Sequence, residues 1–259
     1  MVENDIHFSE SDFDSNSAFV QKYTNQISIP YDDFLEDFIV ESQLYSIGIG
    51  PQKCGFFGIH NNTRLTILYI DDIYFSKGIS IFEKIKSTYM LKDAFIPTTD
   101  IASISIILEN YQEMKLQALH FSDSGRPVRP AEFEKKYFRL AEMENLDEIQ
   151  SFAGDFLDDY DALITTRQLY ILEKENEMLG IGIIVKNKIM ENCMSIGVFT
   201  KESKRKLGVG RSIILHLKDI VAEIGMTPVA GCWYYNTESR LTLESAGYIT
   251  KSTLLRIIL

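Results

Sequence analysis

The sequence has little of what a cross-linked, membrane-spanning or nucleic-acid-binding protein needs. Only three of its 259 residues are cysteine, at 54, 193 and 232, far apart and odd in number. With no CxxC pair they argue against a zinc site or a disulfide framework, and they read as small buried hydrophobes. No apolar run approaches the roughly 18 residues that a membrane-crossing helix needs. The opening MVENDIHFSE has neither a basic n-region nor an apolar core, so it does not read as a signal peptide, and cytoplasm is the expected compartment. Positive charge is scarce: 26 Lys and Arg against 37 Asp and Glu give a formal net charge of −11. That balance speaks against nucleic acid as a partner. It fits a cationic, amine-bearing substrate, although acidic chains are also simply soluble. Acid is concentrated early, where Glu3, Asp5, Glu10, Asp12, Asp14, Asp32, Asp33, Glu36 and Asp37 face Lys22 alone. Of four histidines (His7, His60, His120, His216) none sits in a motif, and His216 is expected to be exposed.

One stretch runs against the acidic background. FTKESKRKLGVGRSII, residues 199–214, gathers Lys201, Lys204, Arg205, Lys206 and Arg211 around two glycines, Gly208 and Gly210. CMSIGVFT before it (193–200) reads as an apolar strand. A helix is expected from Leu207, with Ile213, Ile214, Leu217, Ile220, Val221 and Ile224 on one face, stopped by Gly225 and Pro228. A helix start presents unpaired N–H groups and the positive end of the dipole. Glycines let a phosphate approach that backbone, and the cations add charge at the rim. The segment therefore reads as a diphosphate cradle. The plainer alternative is a glycine-containing loop before a solvated helix face. Neither the dinucleotide fingerprint, whose third glycine would fall at Ile213, nor the P-loop is present.

SDSGRPVRPAEFEKK, residues 122–136, is the clearest break and reads as a linker. The sequence divides there into domains at 1–124 and 137–259, with 125–136 between them. The two sides resemble each other. LYSIGIGPQKCGFFGI aligns with LYILEKENEMLGIGII at an offset of 125 residues, pairing Gly55 with Gly180. SKGISIFEKI aligns with KLGVGRSIIL, pairing Gly78 with Gly208, and ILENYQEM with TLESAGYI. Chance similarity between apolar strands competes with a tandem duplication. If the second copy binds an anion through its turn, the first has lost that ability, because Ser80 replaces Gly210 and the basic cluster is gone.

VFTKESKRKLGVG resembles motif A of the GCN5-related N-acetyltransferases (GNAT), often written VxTxPxxRGxGxG, with Glu202 in the usual proline place and Leu207 inside the loop. YFRLAEMENLDEI is similar to that family's opening strand and helix, YILEKENEMLGIGIIV to its second and third strands, and PVAGCWYYNTESRLTLESAGYI to its motif B. The resemblance covers roughly 137–259. It implies an α/β (α+β) fold of two GNAT-like domains, each a mixed, mostly antiparallel sheet flanked by helices, the first degenerate. It further implies acetyl-CoA as co-substrate, no metal, and direct attack of a primary amine on the thioester. Two parallel strands would splay around the pantetheine arm, with Gly197, Val198, Phe199 and Thr200 offering backbone groups. Arg205, Lys206, Leu207, Gly208, Val209, Gly210 and Arg211 would take the diphosphate. Asn236 and Ser239 would reach the pantetheine, although Asn236 also reads as a plain helix cap. The family's acid slot, four residues before Gly247, holds Leu243. Tyr235 (with Tyr234) is the substitute acid and Glu191 the candidate base; wall packing and a solvated strand end are the alternatives. Asp155, Asp158, Asp159 and Asp161 could receive a cationic small-molecule acceptor, or form a solvated loop. The expected partners are that acceptor and no nucleic acid or membrane, in a monomer or homodimer. Two other readings stand: a coenzyme A-binding module without turnover, and a structural or partner-binding protein.

Overall fold

The computed structural model describes residues 5–259; residues 1–4, with Glu3 and the first part of the segment read as lacking a leader, lie outside the described residues. The chain divides into two compact units. The first takes the described residues up to His120 together with Lys188–Met190 and Lys251–Leu259; the second takes Phe121–Asn187 and Glu191–Thr250. The last nine residues, placed by the sequence with the second domain, thus fall in the first unit.

One order of elements occurs twice. The first run is β1 (Ile6–Ser11), α1 (Ser17–Gln26), α2 (Asp33–Val40), β2 (Gln43–Ile49), β3 (Gln52–His60), β4 (Arg64–Ile70), α3 (Gly78–Tyr89), β5 (Asp93–Pro97), α4 (Ile101–Ile107) and β6 (Glu113–Asp123). The second is β7 (Phe138–Leu140), α5 (Leu146–Ala153), α6 (Tyr160–Thr165), β8 (Leu169–Lys174), β9 (Glu177–Lys186), β10 (Cys193–Thr200), α7 (Val209–Glu223), β11 (Thr227–Trp233), α8 (Thr237–Ser245) and β12 (Tyr248–Ile258). In each run the first four strands pair antiparallel in sequence and the fourth pairs parallel with the fifth. This is a mixed α/β architecture. In the first unit the end of β12 lies antiparallel to β5, with Leu255 opposite Ile96 and Ile257 opposite Ala94.

In each unit the strands are buried by helices with apolar faces. The first unit's core joins Phe57, Leu65, Ile81, Phe82 and Ile85 to Ile257. The second joins Ile149 and Ala153 of α5 to Ile171, Ile181 and Ile183. In the first unit the buried Glu36 carboxylate accepts N–H bonds from Lys188 (2.6 Å), Ile189 (3.1 Å) and Met190 (2.7 Å).

Helix α7 begins at Val209 rather than Leu207. It ends before Ile224, which is 63% exposed instead of completing the apolar face. Gly225 is left-handed (φ 74°), as expected of a residue just past a helix end. His216 is the opposite of expectation: it is buried, 2.7 Å from the Phe133 carbonyl and against the Phe138 ring. The cause is the segment read as a linker, which lies along α7. Arg211, buried, donates to the carbonyls of Arg129 and Pro130, the latter at 2.9 Å, and the Phe133 N–H donates to Ser212 Oγ at 3.1 Å.

Candidate functional site

The parallel pair β10–β11 is registered only at its start, with Cys193 opposite Thr227, Met194 opposite Pro228 and Ser195 opposite Val229. On its other side β10 stays paired with β9 as far as Thr200 opposite Gly180. From Ile196 on, β10 therefore has backbone hydrogen-bonding groups on one side with no strand to take them. A strand edge left open in this way can take an extended, amide-bearing ligand through its main-chain groups.

The gap opens into a cavity of about 500 Å³ within the second unit. One wall is Val198, Phe199 and Thr200. Its end is the turn Lys204–Lys206 with Gly208, Val209 and Gly210, and the facing wall is Asn236, Glu238, Ser239, Leu241, Thr242 and Ser245 of and before α8. Phe156 stacks near Phe199, ring centroids 5.1 Å apart, on the apolar side.

Two left-handed residues shape the turn. Lys206 (φ 63°) and Gly208 (φ 80°) are both left-handed, and Gly208 caps α7 without a side chain. Alternating left-handed residues before a helix N-terminus turn successive N–H groups into one concavity. A strained non-glycine residue in such a loop points to function. Gly208 also answers to a neighbour: a Cβ there would stand 2.5 Å from the carboxyl carbon of Glu132. Gly210 is small because a Cβ would meet Thr200 Oγ1 at 3.2 Å and Thr242 Cγ2 at 3.3 Å. The cations of the cavity are mostly paired: Arg205 with Glu238 at 2.6 Å, Lys204 with Glu177 at 2.5 Å, and Arg129 with Glu132 at 2.7 Å. Lys206 makes no ion pair among the described residues.

Residues 12–124 match the family model described as acetyltransferase (GNAT) domain. Over those residues the chain is similar to a GNAT acetyltransferase domain. Its fold over nearly the whole length is that of solved GNAT proteins. An acetyltransferase of the family from Colwellia psychrerythraea superposes with a TM-score of 0.87 at 15% identity, covering 98% of this chain and 99% of that one. A GCN5-related N-acetyltransferase from Sphaerobacter thermophilus gives 0.64 at 9% identity, with 99% and 96% covered. A tandem GNAT protein from the clavulanic acid biosynthesis pathway gives 0.59 at 9%, with 97% and 98% covered. At these identities the likeness is one of fold. No curated protein matches the sequence closely enough to count as a relative.

The GNAT model matches the first half, whereas the cavity described above lies in the second. At the equivalent place in the first unit the arrangement differs. Gly78, where Gly208 stands in the second run, is buried with φ −55°, and a Cβ would meet Ile106 Cδ1 at 2.8 Å. The preceding turn is DIYFSK, with Asp71 paired to Lys22. Asp100 caps α4 through the Ser103 N–H (3.0 Å), as Asn236 caps α8 through the Ser239 N–H (3.0 Å). Asp100 is buried, which pushes its carboxyl up to about 6, against hydrogen bonds from Ser103 that lower it. Burial, then Tyr31 and Asp100, push the neighbouring Tyr23 phenol up.

Of the residues singled out from the GNAT motifs, Val198, Phe199, Thr200, Arg205, Lys206, Gly208, Val209, Gly210, Arg211, Asn236 and Ser239 line the cavity; Gly197 and Leu207 do not. Arg211 lines the cavity with its side chain already engaged. Its guanidinium is spent on the Arg129, Pro130 and Ser245 carbonyls and on Glu132 (2.9 Å), so only its backbone faces an anion. Glu191 is exposed in the turn before β10, at the opposite end of that strand from Thr200. Tyr235 is 63% exposed, against Trp233 and Tyr234, and does not line the cavity. Leu243, in the acid slot, is buried. Asp159 caps α6 through the Ala162 N–H and Asp161 accepts from Thr165 Oγ1, which leaves Asp155 and Asp158 of the acidic loop. The sequence missed Arg129, Phe156, Glu238, Leu241, Thr242 and Ser245. The spacing of α8 carries part of that signal, since Glu238, Leu241, Thr242 and Ser245 recur at helical intervals from the Asn236 cap.

Proposed function

We propose that the second unit binds acetyl-CoA and transfers its acetyl group to a primary amine by direct attack, as an N-acetyltransferase of the GNAT type. One observation carries the reading: β10 and β11 part after Ser195 and Val229, directly before a left-handed, cationic turn that starts α7. Unpaired strand groups, a helix N-terminus and lysines in one 500 Å³ cavity fit a long amide-bearing ligand with a phosphorylated end. In this reading the backbone of Val198–Thr200 takes the pantetheine amides. The N–H groups from Lys206 to Gly210 take the diphosphate, with Lys204, Arg205 and Lys206 at its rim. Asn236 and Ser239 close the α8 side. Bound there, acetyl-CoA supplies an acyl group activated as a thioester. A β10 N–H is positioned to polarise its carbonyl.

No side chain among the cavity-lining residues is placed to move the protons. Glu238 is the sole carboxylate there and is held by Arg205; no histidine, tyrosine or cysteine is among them. The amine is therefore deprotonated by water or by a group the acceptor brings, and the thiol departs as thiolate. The same observation favours a second reading, a coenzyme A-binding unit without turnover.

Titration calorimetry with acetyl-CoA on the full chain, wild type beside Lys206→Glu, tests the first step. One micromolar site, weakened at least about ten-fold by the charge reversal, supports the cradle. Two sites per chain would mean that the first unit binds as well. No binding removes the proposal. A thiol-release screen over amines then separates the two readings, since the binding-only unit releases none.

A further inference from the structure

In the cavity, the guanidinium of Arg205 already holds an anion. Glu238 sits in the first turn of α8, lines the same cavity, and its Oε2 lies 2.6 Å from Arg205 Nη1. The remaining contact of that guanidinium is weak, Nε to the Thr200 carbonyl at 3.5 Å. Both partners are solvated, with Glu238 64% and Arg205 43% exposed, so the pair costs little to break. Two other cations of the cavity behave alike: Lys204 is held by Glu177 and Arg129 by Glu132. Only Lys206 of this group lacks a carboxylate.

Resting on the acyl-CoA reading, we propose that Glu238 is a built-in competitor for the phosphate seat on Arg205, so that binding exchanges one anion for another. A tethered carboxylate acts at a high effective concentration. A free monoanion offers Arg205 no more than Glu238 already gives, and it cannot also fill the α7 N-terminus. A diphosphate can do both: one oxygen replaces Glu238 while others accept the N–H groups from Lys206 to Gly210. Glu238 thereby selects polyanionic ligands over single carboxylates and phosphates, and lowers the affinity for coenzyme A.

The test is titration calorimetry of coenzyme A into the full chain as wild type, Glu238→Gln, Arg205→Ala and the double variant, repeated with inorganic phosphate as competitor. Glu238→Gln is expected to bind about five-fold more tightly, the scale of one exposed ion pair. Its salt dependence should steepen, and phosphate should begin to compete. In the Arg205→Ala background the gain should shrink to within about two-fold, because Arg205 carries the exchange. Wild type that binds while Glu238→Gln binds equally or more weakly overturns this inference alone and makes Glu238 a prop for Arg205. Binding by neither overturns the acyl-CoA reading itself. A thermal melt of Glu238→Gln within a few degrees of wild type separates these outcomes from damage to α8.

Discussion

Gly208→Ala is the sharpest perturbation of the cradle, because two separable costs meet at one atom. The residue sits at φ 80°, where an L-residue with a Cβ pays about 1–2 kcal/mol. The new Cβ would also stand 2.5–2.6 Å from the Glu132 side chain, which must move. Glu132 is held by Arg129 at 2.7 Å and by the buried Arg211 at 2.9 Å, so moving it loosens a charged hydrogen bond worth ~1–2 kcal/mol. The expected loss is about 2–4 kcal/mol by urea denaturation, with coenzyme A affinity weakened at least about ten-fold. Glu132→Ala removes the obstacle. The double variant should therefore cost about 1–2 kcal/mol less than the sum of the two single variants. A Gly208→Ala protein within about 0.5 kcal/mol of wild type, or a double variant that is simply additive, would refute the assignment of that glycine to both backbone and neighbour.

The remaining expectations concern the frame around the site. Glu36→Gln keeps one acceptor for three backbone N–H groups and turns an amide N–H₂ toward another, and should lower the urea midpoint by the equivalent of about 2–4 kcal/mol. Asp100→Asn preserves the cap on α4 and removes a carboxyl raised from 3.8 to about 6 by burial. A raised folded value makes the ionised form costly above pH 6, and the cost vanishes as pH falls through the unfolded value. The variant should thus be more stable at pH 7.5 by up to about 3 kcal/mol, and no more stable near pH 3, as read by melts across that range. Asp93 runs the other way: burial raises it, but Arg64 at 2.7 Å and Arg256 at 2.7 Å bring it below its ordinary value, so its contribution is present above pH 4 and lost in acid. Arg256→Met should flatten that acid limb of a stability–pH curve.

How much of this was legible depends on whether side chains or backbone carry the information. The repeated order of elements was visible because Gly55 and Gly180 answer the same demand. A Cβ on Gly55 would meet the Tyr69 carbonyl at 2.1 Å, and one on Gly180 the Phe199 carbonyl at 2.9 Å, so both positions keep glycine where the next strand crosses closely. The basic, glycine-punctuated turn before α7 is visible in the sequence because its cations and glycines are neighbours along the chain. The segment 122–136 reads as free because of its prolines, glycine and serines, while most of what fixes it is a set of main-chain groups, with the Glu132 carboxylate beside them. The Arg129 and Pro130 carbonyls, the Phe133 carbonyl and the Phe133 N–H are taken by Arg211, His216 and Ser212. Main-chain partners leave no mark on residue type. The traces in residue type are Glu132 in the segment itself and, on α7, an arginine read as a phosphate ligand and a histidine read as exposed, five residues apart. Reading both as partners for a covering segment, rather than one as a phosphate ligand and the other as exposed, places a strap there. It also shows that Arg211 is already committed before any phosphate arrives.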